Sequence, residues 1–258
     1  MSRLQIYQFG CLSDNFGVLL HDPATGATAS IDAPEEAAIL RVLDETGWRL
    51  TDVLVTHHHH DHVGGLPALK ARFGVRVVGP RAEAEKIPGL DVPVGEGDRL
   101  AFSTHEVRVL DTPGHTAGHI AYVVPDANAA FVGDTLFALG CGRVIEGTMD
   151  DMWASLKKLR ALPPQTEVYC GHEYTLANGR FALTVDPANA ALAERMKEVE
   201  RLRAEGLPTL PTTIGREIET NPFLRADDPA VAAAVGMAGA DPAAVFAEVR
   251  RRKNEFRG

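Results

Sequence analysis

Over residues 2 to about 132, short apolar or β-branched runs alternate with Gly, Pro, Asp and Asn. The runs 16–20, 27–31, 52–55, 76–78, 99–102, 107–110, 120–124 and 130–132 are each short enough for a strand and bounded by turn residues. Three stretches break this rhythm. Residues 34–46 carry Ala37, Ala38, Leu40, Val42 and Leu43 at helical spacing, and Gly47 supplies a C-terminal stop. Residues 65–73 predict a second helix, stopped by Gly74. Residues 149–162 predict a third, with Met152, Leu156 and Leu159 on one face. Acids at 150 and 151 open it and Lys157, Lys158 and Arg160 fall near its end, as the helix dipole prefers.

After Tyr174 the strand signals almost vanish. Residues 187–205 predict a strong helix, and 208–222 a Thr- and Pro-rich connection that is ordered but irregular. Ala- and Val-rich helical stretches follow at about 228–236 and 241–253. The expectation is an α/β domain over residues 1–174 and a small all-helical domain over 175–258.

Composition narrows the function classes. The 258 residues carry 26 Lys and Arg against 35 Asp and Glu, a formal net charge of -9. That balance disfavours a nucleic-acid partner, because phosphate binding depends on clustered cations. No run of about 18 apolar residues suggests a membrane span. Cys11, Cys141 and Cys170 are odd in number and widely spaced, so no disulfide framework is expected. Residues 1–7 lack the apolar core of a signal peptide, and the cytoplasm is the expected location.

The candidate chemistry sits in Thr56-His57-His58-His59-His60-Asp61-His62, directly after the apolar run 52–55. Loops at the C-terminal ends of strands are where α/β proteins usually place their chemistry. Side chains two apart on extended backbone point the same way. His57 and His59 can therefore share one ion, while Asp61 and His62 reach a second. Imidazole and carboxylate suit Zn(II), Fe(II) or Mn(II). Three more donors recur in the same setting, after a strand and beside glycine: His115 in Pro113-Gly114-His115, Asp134 in Gly133-Asp134-Thr135, and His172 in Cys170-Gly171-His172. Glycine there lets backbone approach a crowded centre. His58 and His60 are read as supporting or exposed, and His21, His105 and His119 as structural.

This pattern resembles the metallo-β-lactamase superfamily, whose signature T-H-x-H-x-D-H followed by a distant His, Asp and His is matched throughout. A finer resemblance is to the glyoxalase II (hydroxyacylglutathione hydrolase) family. It is carried by Gly133-Asp134-Thr135-Leu136-Phe137, by Gly140-Cys141-Gly142-Arg143 with Glu146-Gly147-Thr148, and by Cys170-Gly171-His172-Glu173-Tyr174-Thr175. Asn221-Pro222-Phe223 and residues 250–256 extend it over nearly the whole chain. The resemblance implies an αββα sandwich with a C-terminal helical domain. It implies one ion on His57, His59 and His115, another on Asp61, His62 and His172, and Asp134 bridging them with a hydroxide between. It also implies a glutathione thioester held by Arg143, Tyr174, Arg250 and Lys253. Two departures stand out. Ile145 occupies a position commonly aromatic in the family, and Arg143 a position where the best-known eukaryotic members carry Lys. Asn254 replaces a common acidic residue.

Those residues suit thioester hydrolysis. Two divalent ions, less two ligand carboxylates and a hydroxide, leave roughly one positive charge to stabilise an oxyanion and receive a departing thiolate. Asp61 and Asp134 are expected to act in catalysis as well as binding, with Asp61 orienting the hydroxide. The expected substrate is S-D-lactoylglutathione, and the expected assembly a monomer. The competing readings are a lactonase or β-lactamase with the same metal site, a one-iron sulfur dioxygenase, and a metal-binding protein without catalysis. Structural zinc sites are closed and usually cysteine-rich, which argues against the last.

Overall fold

The computed structural model describes residues 3–257. It forms two compact units. The first runs to Asp111 and resumes over 116–133; the second comprises 112–115 and the chain from Asp134 onward.

In the first unit, β1 (Gln5–Cys11), β2 (Asn15–Asp22), β3 (Ala27–Ile31), β4 (Arg49–Leu54), β5 (Arg76–Pro80) and β6 (Val92–Val94) lie side by side in that order. The first three pair antiparallel, and β3 through β6 pair parallel. Parallel neighbours need a crossover. α1 (Glu36–Thr46) supplies it between β3 and β4, and α2 (His60–Val63) with α3 (Leu66–Phe73) between β4 and β5. Gly47 and Gly74 close α1 and α3 at φ 71° and 65°, the left-handed conformation that glycine adopts without a side-chain clash. Leu19, Val53 and Val77 on the strands pack with Ile39, Val42 and Leu43 of α1 and Leu66 and Leu69 of α3. β7 (Arg99–Phe102), β8 (His105–Asp111), β9 (Ile120–Val124) and β10 (Ala129–Gly133) form an antiparallel meander. Tyr122 of β9 is fully buried and donates its hydroxyl to Val55 O at 2.8 Å, which ties the meander to the end of β4.

The second unit holds β11 (Leu136–Phe137), β12 (Gly140–Cys141), α4 (Met149–Arg160), β13 (Glu167–Cys170), α5 (Thr175–Val185), α6 (Ala190–Ala204), β14 (Thr212–Thr213), α7 (Ile214–Thr220), α8 (Pro229–Ala234) and α9 (Pro242–Glu255). β11 and β12 make a small hairpin, and β13 pairs with β14. Thr148 and Asp151 form a reciprocal capping box at the start of α4. Leu139 packs with Ala182, Leu192, Met196 and Val199 of α5 and α6.

Besides the short elements α2, β6, β11 and β12, which the sequence reading did not predict, three longer features depart from it. β1 was not among the expected strands, because Gln5 and Gln8 interrupt its apolar run. α5 carries Thr, Asn and Gly, weak helix formers that hide it from propensity. The connection 208–222 was expected to be irregular but contains α7. Its Glu217 is fully buried and ion-paired with Arg195 at 2.5 Å, a stabilisation that hydrophobic periodicity cannot register. Among the described residues, no helix is long and apolar enough to cross a membrane.

Candidate metal centre

The seven expected ligands divide between the units: His57, His59, Asp61 and His62 in the first, and His115, Asp134 and His172 in the second. Within the first unit, a donor atom of His57 lies within 4.8 Å of one of His59 and of one of His62, and a carboxylate oxygen of Asp61 lies within that distance of a ring nitrogen of His62.

In the first unit, β4 ends at Leu54, the chain bends at Thr56 and runs without regular structure to His59, and α2 begins at His60. The ring centroids of His57 lie 4.9 Å from His59 and 4.1 Å from His62. Asp32, buried just beyond β3, organises this loop. Its Oδ1 accepts Thr56 N at 2.6 Å, and its Oδ2 accepts Thr56 Oγ1 at 2.9 Å and His62 Nδ1 at 2.8 Å. The Thr56 hydroxyl spends its proton on that carboxylate, so its 3.0 Å contact with His57 Nδ1 must be donated by the ring. Both imidazoles thus carry their proton on Nδ1 and keep the lone pair on Nε2, the form in which histidine binds metal. Asn15 Nδ2 donates to Asp61 Oδ2 at 3.0 Å, and that oxygen lies 3.6 Å from His62 Nε2.

His58 Nδ1 and its backbone N both contact Glu83 Oε2 at 2.8 Å, while His60 is exposed. A ring nitrogen of His58 also lies within 4.8 Å of one of His59. His21 contacts Thr28 Oγ1 and stacks on Trp48, and His105 contacts Asp126, both structural arrangements. His119 is fully buried and stacks on His57, with ring centroids 4.7 Å apart. Gly133, at φ 46°, leaves room for it, because a Cβ there would meet His119 Nε2 and Thr56 Oγ1 at 2.6 Å.

In the second unit, His115 donates Nδ1–H to Arg143 O at 2.8 Å, which leaves its Nε2 as an acceptor 3.4 Å from Asp134 Oδ2. His172 Nε2 lies 3.3 Å from the same carboxylate oxygen. Gly114 and Gly142 make the close packing possible. A Cβ on Gly114 would sit 2.8 Å from Met152 Cβ, and one on Gly142 would sit 1.8 Å from Asp134 O. Sequence reasoning missed Asp32, Asn15 and Glu83. Asp32 carries the signal used elsewhere, an acid directly after an apolar strand, and could have been found by it.

Four residues were expected to meet substrate. Tyr174 is more than a third exposed and stacks on His172 at 4.7 Å, with interplanar angle 2°. Arg143 is exposed while its carbonyl holds His115. Arg250 is buried; it donates to Cys141 O at 2.8 Å and to Asn254 Oδ1 at 3.1 Å, over the Phe223 ring. Lys253 Nζ donates to Ala177 O at 3.0 Å between Phe181 and Phe256, about 5.5 and 5.4 Å from their centroids. Burial, reinforced by the Arg250 charge, lowers its pKa to about 8. Arg251 and Arg252 are instead engaged with Glu248. The three thiols are buried, and burial raises their pKa values: to about 12 for Cys11, to about 11 for Cys141, and far above the ordinary range for Cys170.

A family model described as the metallo-β-lactamase superfamily matches residues 14–172, and one described as the hydroxyacylglutathione hydrolase C-terminus matches 173–256. The hydroxyacylglutathione hydrolase of Rhizobium meliloti is 57% identical over 256 residues, covering 99% of this chain and 100% of that protein. The crystal structure of ETHE1 from Myxococcus xanthus aligns with TM-score 0.70 at 26% identity, covering 97% of this chain and 91% of that one. TTHA1623 in a di-iron-bound form aligns with TM-score 0.59 at 27% identity, covering 85% and 99% respectively.

Proposed function

This chain belongs to the hydroxyacylglutathione hydrolase family of the metallo-β-lactamase superfamily and is a thioester hydrolase of that class; from that premise, we propose that it converts S-D-lactoylglutathione to D-lactate and glutathione at a dinuclear centre. In this reading His57, His59 and His115 would hold one ion and Asp61, His62 and His172 the other, with Asp134 as a carboxylate available to both.

The observation that carries the reading is the setting of Asp134 Oδ2, with His172 Nε2 at 3.3 Å and His115 Nε2 at 3.4 Å. Arg143 O takes the His115 proton on Nδ1, so the neutral ring would face Asp134 acceptor against acceptor. Such a pair repels unless a cation lies between, and neutral imidazole facing carboxylate is a donor set that divalent ions accept. Bound there, two ions would acidify a water towards neutral pH and place positive charge where an oxyanion develops.

The chain's own residues do the rest. Asp32 and Thr56 fix the tautomers of His62 and His57, and Asn15 holds the Asp61 carboxylate in one orientation. Asp61 can thus orient the attacking oxygen as well as bind. The leaving group is the conjugate base of a fairly acidic thiol, so it can depart as thiolate without a dedicated proton donor. The buried thiols, held protonated, are not needed as nucleophiles.

Glutathione carries two carboxylates, and an acidic protein needs local cations to hold it. Arg143, Arg250 and Lys253 supply them, and Tyr174 offers an exposed ring beside His172. Residues 1–174 act as the catalytic domain and 175–258 as the helical substrate-binding domain. Zinc is the proposed metal, with iron or manganese compatible with thiolate-free N and O donors; one similar structure is of a di-iron-bound form. Three free, buried cysteines suit a monomer in a reducing cytoplasm.

The test is incubation of the metal-loaded protein with S-D-lactoylglutathione, following D-lactate and free thiol. Equal release of both is expected. An inert thioester alongside rapid opening of lactones would favour the lactonase reading instead.

A further inference from the structure

The hairpin formed by β11 and β12 follows Asp134 directly, and its backbone is held at every residue from 137 to 141 by side chains of the C-terminal helices. Asn221 Nδ2, at the end of α7, donates to Phe137 O at 3.2 Å and Gly140 O at 2.9 Å. Asn178 of α5 donates to Ala138 O at 3.2 Å. Glu217 Oε2 of α7 accepts Leu139 N at 2.9 Å, and Arg250 of α9 donates to Cys141 O at 2.8 Å. Leu139 has φ 58°, a left-handed conformation costly for leucine, so the hairpin needs outside support.

From the hairpin the restraint passes to two expected ligands. Gly142 N donates to Thr135 O at 3.0 Å, and Gly142 is pressed against the Asp134 carbonyl. The next residue, Arg143, accepts His115 Nδ1 at 2.8 Å. A shift of the hairpin therefore moves Asp134 and untethers His115 together. Asn221 is central to this frame. It is fully buried, bridges both strands of the hairpin, donates to Glu217 Oε2 at 3.0 Å and accepts Phe223 N at 3.0 Å.

We infer that Asn221 is a positioning residue for the metal centre, acting through the 136–142 hairpin on Asp134 and His115. The C-terminal helices thus contribute to metal retention as well as to substrate binding. This rests on the reading of Asp134 and His115 as ligands.

The experiment compares wild type, Asn221→Ala and the milder Asn178→Ala. For each, zinc loss is titrated against a chelator, melting temperature is measured metal-loaded and metal-stripped, and kcat and KM are measured at saturating zinc. Asn221→Ala should weaken metal retention about 10- to 100-fold, the usual effect of losing support behind a ligand. The gap between loaded and stripped melting temperatures should narrow, because metal stabilises only as far as it binds. KM should stay near wild type. Asn178→Ala should shift the same way by less, and it decides the matter if Asn221→Ala does not fold. Equal lowering of both melting temperatures with unchanged retention would overturn the inference, as would a raised KM with retention intact. Wild type that binds no zinc would instead overturn the ligand reading beneath it.

Discussion

Asp32 Oδ2 accepts the Nδ1 proton of His62 at 2.8 Å, and through Thr56 the same carboxylate sets the tautomer of His57. One buried acid thus sets the Nδ1–H tautomer of two imidazoles. Asn fits the left-handed backbone at position 32, where φ is 56°, but cannot accept at both carboxylate positions. Asp32→Asn should weaken metal retention about 10- to 100-fold, read by chelator competition. Unaltered retention would separate Asp32 from the centre.

Gly142 has no space for a side chain. A Cβ would lie 1.8 Å from Asp134 O, a backbone atom that no rotamer change can move. Gly142→Ala should displace the Asp134 segment and lower kcat about 100-fold, the scale associated with misplacing a reacting group by an ångström. Steady-state kinetics, with circular dichroism to confirm folding, checks this.

Lys253 links substrate binding to pH. Its pKa, lowered to about 8 by burial and by Arg250, lies below the ordinary 10.5. The ammonium is therefore lost as pH rises through 8, and KM for the glutathione thioester should climb there. Lys253→Met should raise KM at pH 7 and abolish that climb, with metal content unchanged. The stability effect has the opposite sense. Between pH 8 and 10.5 the unfolded chain binds more protons than the folded one, so this group's contribution to stability rises with pH. A KM profile flat across pH 8 in the wild type would remove Lys253 from the binding site.

Cys141 and Cys170 flank the ligand-bearing segments, yet burial keeps both thiols protonated, Cys141 up to about 11. Iodoacetamide at pH 7.5 should leave activity intact, since the thiolate is the reactive form. Stoichiometric inactivation would point to a nucleophilic cysteine.

The candidate ligands were the part of the chain that local sequence marked most directly. Each follows a strand, and each distant one sits beside a glycine, so local sequence carried the signal. Most strands of the first unit were readable from short apolar stretches, such as Val53 and Leu54 in β4 and Val77 and Val78 in β5, all fully buried in the parallel part of the sheet. Support behind the ligands was harder to see. Asn15 reaches Asp61 across 46 residues, and Asn221 reaches Gly140 across 81, contacts that exist only once the chain is folded. α7 was hidden because a buried ion pair, Arg195 with Glu217, stabilises it rather than an apolar stripe. Arg250 and Lys253 read from sequence as two similar cations on one helix. In the fold, the first is buried against Cys141 O and the second lies between two aromatic rings.

The central claim is a two-ion centre that hydrolyses a glutathione thioester. Its most direct test is titration of metal-stripped protein with zinc while the rate of S-D-lactoylglutathione hydrolysis and the bound metal are followed on the same sample. Activity should rise with zinc and level off at two bound ions per chain. A plateau at one ion, or turnover by the fully stripped protein, would contradict the account.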